Sequence, residues 1–354
     1  MSSNYDQKRV GSRLQDLEET SLSKQNVQDL KAFARDYELE NYAPATPLAV
    51  IDAFKRIADL VEFDLRDAEK EQVEDLVLKI NREEHGDYAA RTLADDRAAI
   101  QTFYSWYLDT KSPEICDFIR CKARPSELPK LDPEELLNVE EAEKIIDACM
   151  NPRDRAMLGL LWDSGMRTKE IMELEWRDIK VDQDGMLHLH IRNGKNGPRR
   201  IYLYESVPLV TAWLDNYPDP QPEDPLWIDL RWPSKKQKVG QRALYKQIKE
   251  ARKRTEGIPD RRRSNPHAWR KARATFMAAQ GMNLPAANKF FGWARGSTVF
   301  KKYIWLAETD LENTMREIYG LDPKKKEQKF IGENLKEYQG KAKVEREPML
   351  LAGT

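Results

Sequence analysis

Cysteine is scarce in this chain. Of 354 residues only Cys116, Cys121 and Cys149 are cysteines, and they have neither metal-ligand nor disulfide spacing. That excludes a disulfide-stapled or cysteine-liganded domain and fits a reducing, cytoplasmic setting. Long apolar runs are missing as well. No stretch approaches the ~20 residues of a membrane span, and Met1 is followed by polar residues rather than a signal segment. There is no internal repeat, no low-complexity tract and no carboxylate-rich cluster suited to a catalytic metal. His188 and His190 share one face of a strand, but no carboxylate or cysteine stands at ligand spacing, so no metal is assigned. Excess charge of one sign is absent too: the net charge is −1 with 34% charged residues, which excludes a uniformly basic nucleic-acid coat but not a segregated one.

Segregation is what the sequence has. Residues 231–273 hold sixteen Lys/Arg against three acids, while 132–147 hold seven acids against Lys144 alone. The basic stretch, with Arg261, Arg262, Arg263 and Lys271, is the candidate phosphate footprint. A solvated charged face is the ordinary alternative for such a run.

The length suffices for two domains, each able to bury a core. Residues 1–21 are polar and are expected to form a flexible N-terminus. Across 22–120 the apolar spacing is helical, over Val27–Tyr37, Pro47–Leu60, Lys70–Glu83 and Thr92–Tyr107. Two prolines and lost periodicity mark 121–138 as a linker. Residues 139–320 then mix helices, among them a basic one over Gln241–Arg254 with Leu244 and Ile248 inward and a last one over Asp310–Tyr319, with two strands, Met186–Arg192 and Arg199–Tyr204, around the glycine-rich turn Asn193–Gly197. Residues 321–354 form a charged C-terminal tail in which Phe330, Ile331, Leu335 and Tyr338 could make one apolar edge. The fold class is mainly α with a small β-hairpin or sheet.

Chemistry concentrates in 264–303. Asn265 and Pro266 read as an N-cap and first helical position, and Gly281 as a left-handed stop. On that helix Trp269, Ala272 and Phe276 form the core stripe. His267 and Arg270, three apart, share another face beside the free N–H groups of the first turn, a ready anion site. A His-x-x-Arg pair is also common on solvated helix surfaces. A second helix follows, from Asn283 and Pro285 to Gly292, then Trp293, then Ser297 as the cap of a third helix carrying Tyr303, a nucleophile-capable phenol. Upstream, Gly165-Met-Arg167-Thr-Lys-Glu170 places an arginine on a glycine turn at a helix start, with Glu170 one turn on to hold it.

Together these motifs resemble the tyrosine recombinases of the phage-integrase family, over roughly 24–320 and most specifically over 158–303. The matching elements are Gly165-x-Arg167-x-x-Glu170, Lys195 on the hairpin, His267-x-x-Arg270, Gly292-Trp293 and Tyr303. Two departures stand out. Lys271 follows the arginine where histidine is frequent, and Tyr303 lies one residue further from Trp293 than usual. The resemblance implies an N-terminal helical core-binding domain that helps clamp DNA, and a mixed α/β catalytic domain. It also implies roles: Tyr303 as nucleophile, Arg167 and Arg270 as phosphate forks, Lys195 as general acid, His267 as proton acceptor and Trp293 as donor to the phosphate. The residue types satisfy phosphodiester chemistry on their own, with neither metal nor ATP as cofactor.

The expected function is site-specific DNA recombination of the integrase or excisionase type, through a 3′-phosphotyrosine intermediate. Expected partners are double-stranded DNA, further copies of the chain in a tetramer on two duplexes, with the tail docking on a neighbouring protomer, and an accessory DNA-bending factor; no membrane is expected. Two alternatives carry forward. A type IB topoisomerase uses a similar residue set but is usually longer. A non-cleaving DNA-binding protein on this scaffold would not need the nucleophile.

Overall fold

The structure is a computed structural model that describes residues 3–124, 126–127, 132–306, 315–316 and 319–320. The expected tail over 321–354, and most of a helix expected over Asp310–Tyr319, lie outside the described residues. Contacts divide the chain into two units at residues 130 and 131.

Among the described residues the first unit contains five α-helices: α1 (Ser3–Leu17), α2 (Lys24–Leu39), α3 (Ala45–Arg56), α4 (Lys70–Asn81) and α5 (Ala90–Tyr107). Ser23 caps α2 by accepting from the Asn26 N–H at 3.1 Å. The apolar faces of α2 to α5 meet in a core of Leu30, Phe33, Ile51, Phe54, Val73, Leu76, Ile100 and Phe103, and Phe103 contacts both Phe33 and Phe54. Residues 1–21 depart from expectation, because most of them form α1. Val10, Leu14 and Leu17 fall on one helical stripe and pack on this core, Leu17 with no exposed surface. Arg13 pairs with Asp52 at 3.1 Å, and Lys55 with Asp16 at 2.8 Å. A three-residue stripe in a polar sequence is too slight to announce a helix; docking against α3 stabilises it.

The stretch 121–138 is also tied down at both ends. Cys121 packs on the first core and donates to Gln101 Oε1, whereas Leu136 and Leu137 belong to the second core and Pro133–Glu135 form a 3₁₀ turn.

The second unit contains α6 (Val139–Asp147), α7 (Pro152–Ser164), α8 (Thr168–Met172), α9 (Val207–Asp215), α10 (Gln241–Arg254), α11 (Pro266–Ala279), α12 (Leu284–Phe291) and α13 (Lys301–Leu306). Between α8 and α9 lies an antiparallel sheet in the order β1 (Ile179–Val181), β2 (Leu187–Ile191), β3 (Arg199–Leu203). The three-residue β1 is too short to show alternation. In β2 and β3 the alternation turns Leu187, Leu189, Ile191, Ile201 and Leu203 inward, with Leu189 opposite Ile201. Helix α7 is buried almost all round, and α6, α9, α10 and α11 pack on it. Its charged end is satisfied: Asp163 accepts from Arg273 of α11 at 2.9 Å and from the Ser206 backbone and hydroxyl, both at 2.9 Å. Arg273, counted above in the basic stretch, is therefore an interior structural residue, 3% exposed.

Candidate active site

Helix α7 stops at Gly165, whose φ of +53° is left-handed; a Cβ there would lie 2.7 Å from the Phe291 ring. The tight turn delivers Arg167 to the start of α8. Glu170, one turn on and buried, accepts from the Arg167 backbone N–H at 3.1 Å and its guanidinium at 2.9 Å. Burial alone would raise the Glu170 carboxyl. Arg199 and then Arg167 overcome it and hold the carboxyl below the usual glutamate value.

Asn265 caps α11 through the Ala268 N–H at 3.0 Å, with Pro266 at the first helical position, and Asn283 caps α12 through Ala286 at 2.9 Å. Trp269 and Ala272 face the core while Phe276 is half-buried. Arg270 is buried, 5% exposed, and lies over the rings of Phe291 and Trp293 at 5.3 and 5.2 Å. His267 keeps an exposed side, so the two residues share a direction but not a depth.

The C-terminal end of α12 organises the arginines. The Phe290 carbonyl accepts from Arg199 Nε at 3.1 Å and the Phe291 carbonyl from Arg270 Nη2 at 2.6 Å. The Gly292 carbonyl accepts from Arg167 Nη2 and from Asn196 Nδ2, both at 3.1 Å. Arg270 Nη1 adds a bond to the Gly165 carbonyl at 2.6 Å. Carbonyls at a helix end lack intrahelical partners and carry the negative pole of the helix, so they favour nearby cations. The arrangement is still short of negative charge. Burial, and then Arg167, pull the Arg270 guanidinium down to about 9, with Glu170 opposing. A bound dianion or phosphodiester would relieve that deficit.

Tyr303 on α13 is 4% exposed and stacks on Trp293, with ring centroids 5.9 Å apart and planes 9° apart. Burial raises its phenol above the ordinary value, against the pull of Arg270. Ser297 does not start this helix. It lies in the preceding turn, where its hydroxyl accepts from the Val299 N–H at 3.3 Å and its carbonyl accepts from Asn288 at 2.9 Å; α13 begins at Lys301. The Lys302 ammonium sits 5.0 Å over the Tyr303 ring. Desolvation of its packed side, then Lys271, Arg270, Lys302 and Arg167, lower the His267 pKa. These cations therefore share one electrostatic neighbourhood with the phenol's ring.

Lys195 is exposed at the turn between β2 and β3, and Asn196 beside it is the residue that bonds to Gly292. Arg261, Arg262 and Arg263 are placed otherwise than the phosphate footprint supposes. Arg261 pairs with Glu134, Arg262 Nε bonds Glu141 at 2.9 Å, and Arg263 bonds Glu135 at 2.6 Å. Arg262 also donates to the Pro133 and Glu134 carbonyls. The basic and acidic stretches neutralise each other here, because these arginines fasten the start of the second unit to its centre.

Three residues near the site escape a motif reading: Arg199, Asn196 and Lys302. Arg199 did carry a signal, since strand alternation puts it on the inward face with Ile201 and Leu203, where a charge needs a partner. Among the described residues no group of three or more His, Cys, Asp or Glu converges as a metal site, and no helix is long and apolar enough to cross a membrane.

Residues 135–309 match the model of the phage integrase family. The tyrosine recombinase XerA of Saccharolobus solfataricus is 26% identical over 265 residues, spanning 73% of this chain and 82% of that protein. Transposase A from transposon Tn554 of Staphylococcus aureus is 26% identical over 187 residues, half of each chain. Among solved structures, the XerH site-specific recombinase bound to palindromic difH substrate in a post-cleavage complex shares the fold. Its TM-score is 0.57 at 18% identity, over 78% of this chain and 80% of that one. The match begins at Glu135, near the start of the second unit, and it spans every motif from Gly165 to Tyr303. Residues 135–309, which hold every motif of the site, form a domain of the phage integrase family, the tyrosine recombinases.

Proposed function

We propose that the chain cuts and rejoins duplex DNA at specific sites with Tyr303 as the nucleophile. The observation that carries this reading is the placement of the Tyr303 phenol against Trp293, next to an Arg270 anchored on the same helix end as Arg167. The phenol oxygen attacks the scissile phosphorus, forming a Tyr303–phosphate ester as the bond from phosphorus to the 5′-oxygen breaks. Arg167 and Arg270 bind the non-bridging oxygens, where two planar forks oppose the charge that builds in the transition state. Each such donor in a preorganised site contributes ~10²–10³ in rate. His267, kept neutral by desolvation and then by its cationic neighbours, accepts the phenol proton. Lys195 swings in with the hairpin and gives a proton to the departing 5′-oxygen. Trp293 packs the nucleophile and donates its indole N–H to the phosphate. The 3′-phosphotyrosine conserves the bond energy, so the 5′-hydroxyl of another strand can reverse the step without ATP.

In this reading Lys271 and the exposed side of α10 add backbone contacts, and the N-terminal helical unit over 22–120 adds further contacts to the same DNA. Strand exchange needs two duplexes and hence a tetramer of the chain, with an accessory DNA-bending factor and the tail over 321–354 contributing to assembly in the cytoplasm. The test is to incubate the protein with its own genome's DNA, denature, and sequence the ends that stay protein-linked. Discrete sites with blocked 3′ ends, missing from a Tyr303→Phe protein, support the reading. Adducts that persist in that variant overturn it.

A further inference from the structure

Arg199 belongs to none of the motifs, yet it is the most thoroughly engaged cation of the site. It stands four residues after Lys195, at the root of β3, and its side chain is 7% exposed. Its nitrogens are all occupied: Nη1 and Nη2 donate to the two oxygens of Glu170 at 3.1 and 2.8 Å, and Nε donates to the Phe290 carbonyl at 3.1 Å. A fork filled in this way has little left for a phosphate, so Arg199 is not itself a phosphate ligand. What it holds is informative. Glu170 is the carboxylate that orients Arg167, and Phe290 is in the last turn of the helix whose next two carbonyls hold Arg270 and Arg167.

Its packing points the same way. A Cβ on Gly292 would lie 2.5 Å from Arg199 Nη1, and one on Gly194 would lie 3.0 Å from the same atom. The guanidinium therefore lies between the glycine that ends α12 and the glycine that begins the turn carrying Lys195. Glycine at 292 meets two demands at once, the left-handed φ of +63° and the room for this side chain. From the other side, Asn196 bonds to the Gly292 carbonyl that also accepts from Arg167. Hairpin, helix end and first arginine thus meet at one point, and Arg199 occupies its centre.

We propose that Arg199 is a positioning residue of the cleavage reaction: by locking Glu170 and the end of α12 together, it fixes the fork of Arg167 and the base of the Lys195 hairpin at the scissile phosphate. Without it, Glu170 keeps only the partner it is meant to orient, and the Arg167 fork gains a second resting position. A displacement of about 1 Å in such a group costs on the order of 10²-fold in rate.

The inference rests on the assignment of Arg167 to the phosphate, and its test separates the two. Single-turnover cleavage of a nicked suicide duplex containing a site recovered by adduct sequencing is measured beside equilibrium affinity for the intact duplex. The proteins are wild type, Arg199→Met, Arg167→Ala and the double variant. The expected result is a cleavage rate lowered ~10–10²-fold in Arg199→Met with duplex affinity within about threefold of wild type. In the Arg167→Ala background the same substitution should cost less than about threefold more, because residues that act as a unit are non-additive. A multiplicative loss, or a cleavage rate equal to wild type, overturns the positioning role. Arg167→Ala cleaving at the wild-type rate overturns the assignment beneath it instead. Should Arg199→Met fail to fold, Arg199→Lys keeps the charge opposite Glu170 and loses the fork. It should then melt near wild type yet cleave at least about tenfold more slowly, again only while Arg167 is present. Normal cleavage by Arg199→Lys, or equal loss in both backgrounds, overturns the proposal.

Discussion

Trp293 and Tyr303 stack nearly parallel, 9° between planes and 5.9 Å between centroids, so an aromatic face lines the proposed nucleophile. Arg270 lies over the same Trp293 ring at 5.2 Å, which makes the indole a shared wall of the proposed nucleophile and the Arg270 guanidinium. Replacing Tyr303 with Phe keeps the ring and removes only the oxygen. That protein should bind target DNA with near-unchanged affinity, melt near wild type, and form no covalent adduct. Trp293→Ala, which removes the wall, should still form adduct but about 10–10²-fold more slowly, since stacking is worth ~0.5–1.5 kcal/mol and positioning adds to it. Denaturing gels of suicide-substrate reactions decide both.

Arg167→Lys and Arg270→Lys keep the charge and lose the planar fork. Each should cut cleavage by ~10²-fold or more, because one ammonium cannot make paired bonds to a phosphate and also hold the carbonyls of Phe291 or Gly292. Wild-type cleavage by both variants would place the phosphate clamp elsewhere.

The hairpin lysine has its own test. A substrate whose 5′-bridging oxygen is replaced by sulfur expels a thiolate, which needs no proton. Lys195→Ala should cleave the ordinary duplex at least about 10²-fold more slowly and recover most of that loss on the sulfur substrate. Failure to recover would restrict Lys195 to binding.

His267 sets an acid limit. Its pKa is lowered from the ordinary 6.5, so the imidazole is neutral above that pH and gains its proton only further down. Neutral His267 can accept the phenol proton, so kcat/KM for cleavage should show no His267-dependent decline until the pH drops below 6.5. His267→Gln should be slower throughout and should lack that decline. The linkage sign agrees: a depressed folded pKa contributes stability that is present above 6.5 and lost as pH falls through the lower value. Thermal melts of the two proteins should therefore diverge below pH 6.5 and run parallel above it.

Arg262 separates a structural cation from a DNA contact. With Glu141 and two backbone carbonyls as partners, its loss leaves acceptors unpaired. Arg262→Ala should destabilise the protein by about 1–3 kcal/mol. The slope of log affinity against log salt should stay the same, whereas neutralising Lys271 should reduce it by about one unit. A flattened slope in Arg262→Ala would return this arginine to the DNA footprint.

Much of the second unit could be read without coordinates because its signals are local. Asn265 and Asn283 cap the helices their positions announce, Gly165 and Gly292 take left-handed turns, and Leu244 and Ile248 face inward from the basic helix α10. Such features depend on neighbours within one turn, so residue order determines them. The residue types needed for phosphodiester cleavage were legible for the same reason, each sitting in a short motif. Partners across the fold were not. Arg167 meets the Gly292 carbonyl 125 positions away, and Arg262 meets Glu141 121 positions away. A charge count sees sixteen basic residues in 231–273 but not that Arg261, Arg262 and Arg263 face acids of 132–147, or that Arg273 is inside the core. Helix α1 shows the same limit, since its three-residue stripe acquires meaning only against α3. Periodicity fixes which face a residue takes on its own element. Only the packing of elements brings Arg199 between Gly194 and Gly292, where one side chain joins a hairpin, a helix end and the carboxylate behind Arg167.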